Sequence, residues 1–241
     1  MSDPHAVRIC CPPVTLLRPL AWTAALLLAL GVLSLVTRTR LGHDTILGLV
    51  PMLDLDREQV LPSFFASLLL VLASLALATA AAAHGTARAA GAWGWSVLSF
   101  GLLLMAVDES LAIHEQFIDP LRGLLGAGPG GVFHFTWVTF AIPLVLLVGI
   151  ALSRWLRNLD PRTRGGLLRA AAVYLAGAIG VELLGGMWAS RHGVSGLGYG
   201  LLVALEEGLE LAGTLLLLHA TLDHLRARFG AVTIDLGPTR G

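Results

Sequence analysis

Long apolar stretches dominate this sequence, and they restrict its fold more than any other feature. A helix needs about 20 predominantly apolar residues to cross the roughly 30 Å hydrocarbon core of a bilayer. Six stretches have that length, at approximately 19–37, 60–83, 92–115, 132–153, 170–189 and 197–221. They predict an all-α fold, a polytopic integral membrane bundle of about six transmembrane helices, with no internal repeat and no second domain.

The composition supports the same interpretation. Hydrophobic residues make up 56% of the 241 residues and charged residues only 13%, which is about half the charged share of an ordinary soluble domain. Apolar surface in that excess needs lipid around it. The composition therefore excludes a water-soluble globular protein and predicts the lipid bilayer as a partner.

The basic residues and the cysteines exclude several kinds of site. All 16 basic residues are arginine, so a phosphate-binding loop of the Walker type and a lysine Schiff base are both excluded. The arginines form no basic stripe with interleaved aromatic residues, and we expect no nucleic-acid partner. Cys10 and Cys11 are adjacent and precede the first apolar stretch, an arrangement that provides neither a disulfide framework nor a four-ligand zinc site.

The distribution of arginines predicts the orientation, because cytoplasmic segments are enriched in them. If the amino terminus lies inside, the inner segments hold Arg8, Arg18, Arg88, Arg154, Arg157, Arg162, Arg164, Arg169, Arg226, Arg228 and Arg240. The outer segments hold fewer, namely Arg38, Arg40, Arg57, Arg122 and Arg191. This pattern predicts a multi-pass protein of the plasma (inner) membrane with both termini cytoplasmic. The tails would be residues 1–18 and 226–241, and the transmembrane domain residues 19–225.

Two of the predicted loops have a distinctive composition. Residues 45–53 are too short to span a bilayer and apolar enough to lie in its interface. Residues 126–131 are rich in glycine, which indicates a flexible connector.

Acidic residues inside the predicted spans are the most informative feature for function. An ionised carboxylate in the middle of a bilayer costs a few kcal/mol, and no arginine lies in the same stretches to offset that cost. These acids must therefore be protonated, hydrated or neutralised by bound cations. They are Asp108, Glu109 and Glu115 in the third stretch, Glu182 in the fifth, and Glu206, Glu207 and Glu210 in the sixth.

Their depth predicts that they meet in one layer. Glu182 and Glu206 lie equally far from the turn near Val194 that joins the fifth and sixth stretches, so an antiparallel pair places them at one level. The third stretch runs outward and brings Asp108 to the same outer half. Gly213 would let a neighbouring helix approach this layer. A continuous third helix would also place Asp108 and Glu115 on one face.

We interpret this layer as an intramembrane carboxylate and histidine site, with metal binding as the leading hypothesis. Hard oxygen ligands with an imidazole suit Fe, Mn or Zn as a divalent cofactor. In a metalloenzyme such a site would activate water or a redox metal against a lipid-soluble or outer-face small-molecule substrate. The predicted metal ligands are Asp108, His114, Glu115, Glu182, Glu207 and Glu210, and the secondary candidates are Glu109, Glu206, His134, Arg191 and His192.

Two alternatives stay open at this point. Protonatable glutamates are also typical of a proton- or cation-coupled transporter or channel-like protein. The chain could instead be a non-catalytic membrane scaffold or subunit, and partner membrane subunits could supply missing ligands. Two further expectations concern other residues. Glu58, in the first outer loop, should lie apart from the site. His219, Asp223 and His224 should form an interfacial cluster at the inner end, with side chains that snorkel toward the membrane surface.

Overall fold

The computed structural model describes residues 13–86, 91–125 and 131–230. Cys10, Cys11, residues 126–130 of the predicted connector, and residues 1–12 and 231–241 of the predicted tails lie outside the described residues. Within the described ranges the protein is all-helical, without a strand. Its helices are α1 (Pro13–Leu41), α2 (Leu49–Met52), α3 (Leu61–Thr86), α4 (Ala92–Leu111), α5 (Ile113–Gln116), α6 (Ile118–Leu125), α7 (Val138–Arg157), α8 (Pro161–Leu175), α9 (Glu182–His192) and α10 (Leu197–Phe229).

Five of the described helices are long and apolar enough to cross a membrane. Four of them are α1, α3, α4 and α7. The fifth runs from Pro161 to His192, because a π-helical segment, Ala176–Val181, joins α8 to α9 without a break. Helix α10 has 33 residues, long enough to span, but Glu206, Glu207 and Glu210 make its N-terminal half more polar than these five.

The outer surface of the bundle is apolar over much of its area. Large hydrophobic side chains remain exposed on α1, α4 and α7, far beyond the scattered apolar residues of a soluble surface. A surface of this kind is stable against lipid rather than water. Examples are Trp22, Leu26, Phe100, Leu147 and Ile150.

Helix α10 lies at the centre and packs against α1, α3, α8 and α9. Helices α3 and α4 form a tight pair, held in part by serine hydroxyls. The Ser67 hydroxyl donates to the Ala106 carbonyl at 2.8 Å, and the Ser74 hydroxyl donates to the Ser99 carbonyl at 2.8 Å. Small polar residues allow helices in a bilayer to approach closely while satisfying their own hydrogen bonds.

The third predicted span is shorter in the structure than in the sequence-based prediction. Helix α4 ends at Leu111, and Ala112 adopts a left-handed conformation with φ 51° before the short helix α5 begins. The chain therefore changes direction at Ala112, and His114 and Glu115 do not continue the α4 face. The prediction that Asp108 and Glu115 share one face of a continuous helix is wrong for this reason.

The loop between α1 and α3 folds back over one end of the bundle, which we call the outer end after the orientation predicted from the arginines. Arg38 of α1 forms an ion pair with the buried Asp54, and the Ser34 hydroxyl donates to the Val50 carbonyl at 2.7 Å. Leu55 lies directly against Gly31, where any side chain would collide with it. These contacts fix the segment that carries Asp56 and Glu58.

Candidate metal centre

A cavity of about 670 Å³ lies between α4, α7, α8 and α10, with the α1–α3 loop at its outer end. The acidic side chains predicted from the sequence all line it, although they come from three separate parts of the chain. The structure therefore brings together Asp108, Glu109, Glu115, Glu182, Glu206, Glu207 and Glu210, with His114 among them. The loop adds Asp56 and Glu58 to the same cavity.

His114 is held by Asp108. One carboxylate oxygen of Asp108 lies 2.8 Å from Nδ1 of the imidazole, and the other accepts the backbone N–H of His114 at 2.8 Å. Both contacts depend on the turn at Ala112, which brings His114 beside Asp108 at the end of α4. Because Nδ1 faces Asp108, Nε2 is the ring atom left for a ligand. Asp108 thus positions His114 in this structure, and both of its oxygens are used in doing so.

Glu58, His114 and Glu115 form a compact group. Each offers one ligand atom, and these atoms all lie within 4.8 Å of one another, close enough for a single ion to contact all three. One carboxylate oxygen of Glu58 is buried and has no hydrogen-bond partner among the described residues. Two carboxylates and one imidazole are a donor set that binds Zn, Mn or Fe.

Electrostatics around this group favour a bound cation. Burial raises the pKa of Glu58 to about 7, assisted by the charges of Glu115 and Asp108 and opposed by His114. Burial disfavours the charged form of His114, but the hydrogen bond and the charge of Asp108 outweigh it and raise the pKa of His114 to about 9. Among the described residues, the cavity is lined by many acids and by two basic side chains, His114 and Arg57. Protons or a metal ion must neutralise the surplus.

A deeper layer of acids is tied to aromatic side chains. The Tyr174 hydroxyl donates to Glu210 at 2.8 Å, and the indole N–H of Trp137 donates to Glu182 at 2.8 Å. The ring centroids of Trp137 and His114 are also only 5.0 Å apart. This layer therefore contacts the Glu58, His114 and Glu115 group through Trp137.

Two glycines let the helices approach at this level. A side chain at Gly177 would meet the Glu206 carbonyl at 2.8 Å, and one at Gly213 would meet the Tyr174 backbone at 2.6 Å. The expectation that Gly213 allows a neighbouring helix to approach is confirmed. Gly177 lies in the π-helical segment, a distortion that often accompanies functional sites.

Three secondary candidates do not line the cavity. Arg191 and His192 are exposed at the end of α9, where the ring of His192 packs at a tilt against Trp188, with centroids 4.6 Å apart. His134 packs edge-on against Phe135, and its carbonyl accepts a hydrogen bond from Arg122. In this structure these residues surround the outer end of the bundle rather than the acidic layer.

Glu58 is the main residue that the sequence-based prediction missed. The expectation that it lies apart from the site is corrected by the structure, since Glu58 lies in the compact group itself. Its neighbours Arg57 and Gln59 make the segment resemble a solvated loop. The available signal was the apolar run that precedes it, which indicates a loop that lies on the bundle. Trp137 and Tyr174 carried no sequence signal beyond being polar aromatics near the acids.

The inner end of the bundle contains a second histidine cluster. Nε2 of His84 lies 3.0 Å from Nε2 of His224, and the two stacked rings contact Trp95. Both histidines are buried, so the expectation that the His224 side chain snorkels to the interface is wrong. Asp223 instead pairs with Arg162 at 2.9 Å, and His219 is exposed.

The fold and the site together define a class: a helical protein with apolar helices that can span a membrane and a carboxylate and histidine group that can hold a metal ion. A family model described as Domain of unknown function (DUF8692) matches residues 20–225, and the chain belongs to that family. Comparison with curated proteins and with solved structures gives no match.

Proposed function

We propose that this protein is a multi-pass membrane protein that binds a divalent metal ion in the outer half of its bundle. The observation that carries the proposal is the group of Glu58, His114 and Glu115, whose ligand atoms lie within 4.8 Å of one another. The buried, unpartnered oxygen of Glu58 supports it, because a buried polar atom without a partner is unfavourable unless something binds it.

The surroundings of His114 also support the proposal. Histidines that bind metals commonly donate their other ring N–H to a carboxylate, which fixes the orientation of the ring and increases its basicity. Asp108 provides that partner at 2.8 Å. Three protein ligands leave a position open for water or substrate, as in catalytic metal sites. Iron, manganese and zinc all suit this donor set.

The deeper acids extend the proposal from a binding site to a reactive one. Glu182, Glu206, Glu207 and Glu210 line the same cavity as the three ligands and can hold protons or a second cation. A bound metal would polarise water or substrate, and one of these carboxylates would accept the proton released. A transport function has less support, because the cavity residues inward of the acids are mostly apolar and offer few groups that can relay a proton.

The proposal also includes the orientation predicted from the arginines. Six spans, with α10 as the sixth, place both termini on the cytoplasmic side of the plasma (inner) membrane. The basic residues that follow α7 and those at the end of α10 then share the cytoplasmic side. In this orientation the Glu58, His114 and Glu115 group faces the outer leaflet.

Metal titration of the purified full-length protein tests the proposal. The protein is stripped with a chelator in detergent and titrated with Zn²⁺, Mn²⁺ or anaerobic Fe²⁺ by calorimetry, followed by elemental analysis. We expect about one tightly bound equivalent of one of these metals in the wild type. Glu58→Gln and Glu115→Gln should each weaken binding by at least about a hundredfold, since removing only a hydrogen-bond partner of a metal ligand can already weaken affinity by up to that factor.

Asp119→Asn is the matched control for these two variants. Asp119 is an outer carboxylate on α6 whose side chain is 88% exposed and pairs with Arg122, and it does not line the cavity. Its replacement should leave metal affinity unchanged. Absence of tight binding in the wild type, or full affinity in both glutamine variants, would overturn the proposed site.

A further inference from the structure

The cavity extends well beyond the acidic layer, and its inner part is apolar. Below the level of Glu210 it continues between α4, α7, α8 and α10 as far as Trp155. Polar side chains are scarce along this stretch, with Thr214 the main one. The side chains that define it include Leu98, Leu102, Val148, Leu152 and Leu167.

The length of the cavity fits a hydrocarbon chain. Trp137, the residue before α7, lies at the acidic layer, and Gly149 lines the cavity further in; at 1.5 Å per helical residue they lie about 18 Å apart. The total volume of about 670 Å³ is in the range of pockets that hold small molecules. Water would find few hydrogen-bond partners in the inner part, so an apolar occupant is favoured there.

The cavity is also open to the side. Leu144 on α7 and Leu168 on α8 both line it, yet these residues are 60% and 49% exposed. Helix α7 also makes few contacts with α8, so the wall between these two helices does not seal the cavity. In a membrane-spanning chain, the medium beside these two helices is lipid.

We propose that the cavity binds an amphiphile with one long alkyl or isoprenoid chain, entering from the bilayer between α7 and α8. The chain occupies the apolar part down to Gly149 and beyond, and the polar head lies at Glu58, His114 and Glu115. This inference rests on the proposed metal site, because the bound metal would be the group that contacts the polar head. It identifies the substrate class of that site as a single-chain lipid.

Gly149 makes the proposal testable. A Cβ built at this position meets no atom within 4 Å, so a larger side chain would extend into open space in the cavity. Gly149→Phe should block the inner part without displacing a neighbour. Gly101→Phe is the matched control, because Gly101 is also a mid-helix glycine with open space around its Cβ, but it does not line the cavity.

The experiment uses two photoreactive alcohols, a 16-carbon and an 8-carbon chain, each with a diazirine at the chain end. The full-length protein is labelled in phosphatidylcholine nanodiscs, and the labelled residues are mapped by mass spectrometry. In the wild type the long probe should label inner residues such as Leu152 and Leu167. Gly149→Phe should reduce that labelling at least about tenfold, a change equivalent to about 1.4 kcal/mol, and should leave the short probe unaffected.

Each outcome bears on the proposal. If the long probe instead labels Leu146 and Leu147 on the outward face of α7 in the wild type, as expected for lipid around the bundle, the proposal is overturned without any variant. Equal loss with Gly149→Phe and Gly101→Phe, or no loss with either, also overturns it. The metal content of the same samples separates the two proposals. Length-dependent labelling without metal rejects only the metal site, and metal without cavity labelling rejects only the lipid chain.

Discussion

The two ends of the bundle use histidine in opposite ways. At the outer end, His114 faces a cavity and is surrounded by carboxylates, one of which holds its Nδ1. At the inner end, His84 and His224 are 7% and 6% exposed, stack on each other with ring centroids 5.3 Å apart, and pack against Trp95 and Phe229. The same side chain therefore has open space for a ligand in one place and is part of the core in the other.

The difference shows that neighbours determine what a histidine can do. His224 uses both ring nitrogens within the protein, because Nε2 contacts His84 and Nδ1 contacts the Thr163 hydroxyl at 3.1 Å. Among the described residues, His114 has a side-chain hydrogen bond at Nδ1, which leaves Nε2 for a ligand, and its ring lies beside the carboxylates of Glu58 and Glu115. A ring with both nitrogens engaged stabilises a fold, while a ring with one free nitrogen among carboxylates can bind a metal.

The largest effect that separates the two ends is on metal binding. His114→Ala removes the single imidazole of the proposed ligand group and should weaken metal affinity by at least about a hundredfold. His224→Ala should change that affinity by less than about threefold, because it leaves the outer group untouched. Calorimetric titration of both variants beside the wild type measures this contrast. Equal losses in the two variants would remove the distinction between the ends.

The next largest effect is on stability, and it should have the opposite pattern. His224→Ala removes a buried ring together with its contacts to His84, Trp95 and Thr163. We expect it to lower the free energy of unfolding by about 2–4 kcal/mol, since it leaves a cavity and an unpaired polar group. Unfolding by SDS titration in mixed micelles measures the loss.

His219→Ala provides the control for this stability measurement. His219 is five residues away on the same helix and is exposed, so its replacement should change the unfolding free energy by less than about 0.5 kcal/mol. A similar loss in both variants would mean that α10 is sensitive to any substitution at its inner end, and that the stacked histidines are not specifically stabilising.

Much of the acidic layer follows from the sequence alone. Helical rise and the short turn after α9 are enough to place Glu182 and Glu206 at similar depth, because neither depends on the details of side-chain packing. In the structure both residues line the same cavity. The cost of ionised acids in lipid also predicts that they face the interior of the bundle.

The residues that the sequence misplaced depend on tertiary contacts. Alanine favours helix, so nothing in the sequence marks Ala112 as the point where α4 breaks and His114 turns back. Glu58 reaches the cavity because Arg38, Ser34 and Gly31 hold the loop against α1. His224 is buried by aromatic residues from other helices. Such contacts between distant segments leave no periodic signal in one sequence.

A smaller effect tests whether Asp108 acts through His114. Asp108→Asn keeps the shape of the side chain but removes the charge that fixes the imidazole, and it should weaken metal affinity by about 10–100-fold. The wild-type pKa of His114, about 9, means that a metal must displace a proton at neutral pH. Affinity should therefore rise with pH up to about 9 in the wild type.

The pH profile distinguishes positioning from a general structural role. In Asp108→Asn the pKa of His114 should fall, because Asp108 is what raises it, and the rise in affinity should end at a lower pH. Ser110→Ala serves as the control, since Ser110 is near Asp108 on α4 but contacts Ser67 of α3. If Asp108→Asn weakens metal affinity but leaves its pH dependence unchanged, the positioning role of Asp108 is contradicted.

The smallest effect concerns the inner end, where Asp160 caps α8. Its carboxylate accepts the Thr163 backbone N–H at 2.9 Å, and Pro161 follows as the first helical residue, a favourable start for a helix. Asp160→Ala should lower the unfolding free energy by about 1 kcal/mol without affecting metal binding. Partial burial disfavours the charged form, but the hydrogen bonds from Thr163 outweigh it and hold the pKa of Asp160 below its usual value.

A carboxylate with a lowered pKa in the folded state stabilises the protein above the unfolded-state pKa and loses that contribution as pH falls through the folded-state value. The difference between wild type and Asp160→Ala should therefore persist at neutral pH and shrink only in acid, below about pH 4. Asp160→Asn keeps a capping oxygen and should retain most of the stability without this acid dependence. If Asp160→Asn loses as much as Asp160→Ala at neutral pH, the charge of Asp160 near His224, 3.8 Å away, matters more than the cap. The inner end would then depend on electrostatics as the outer end does.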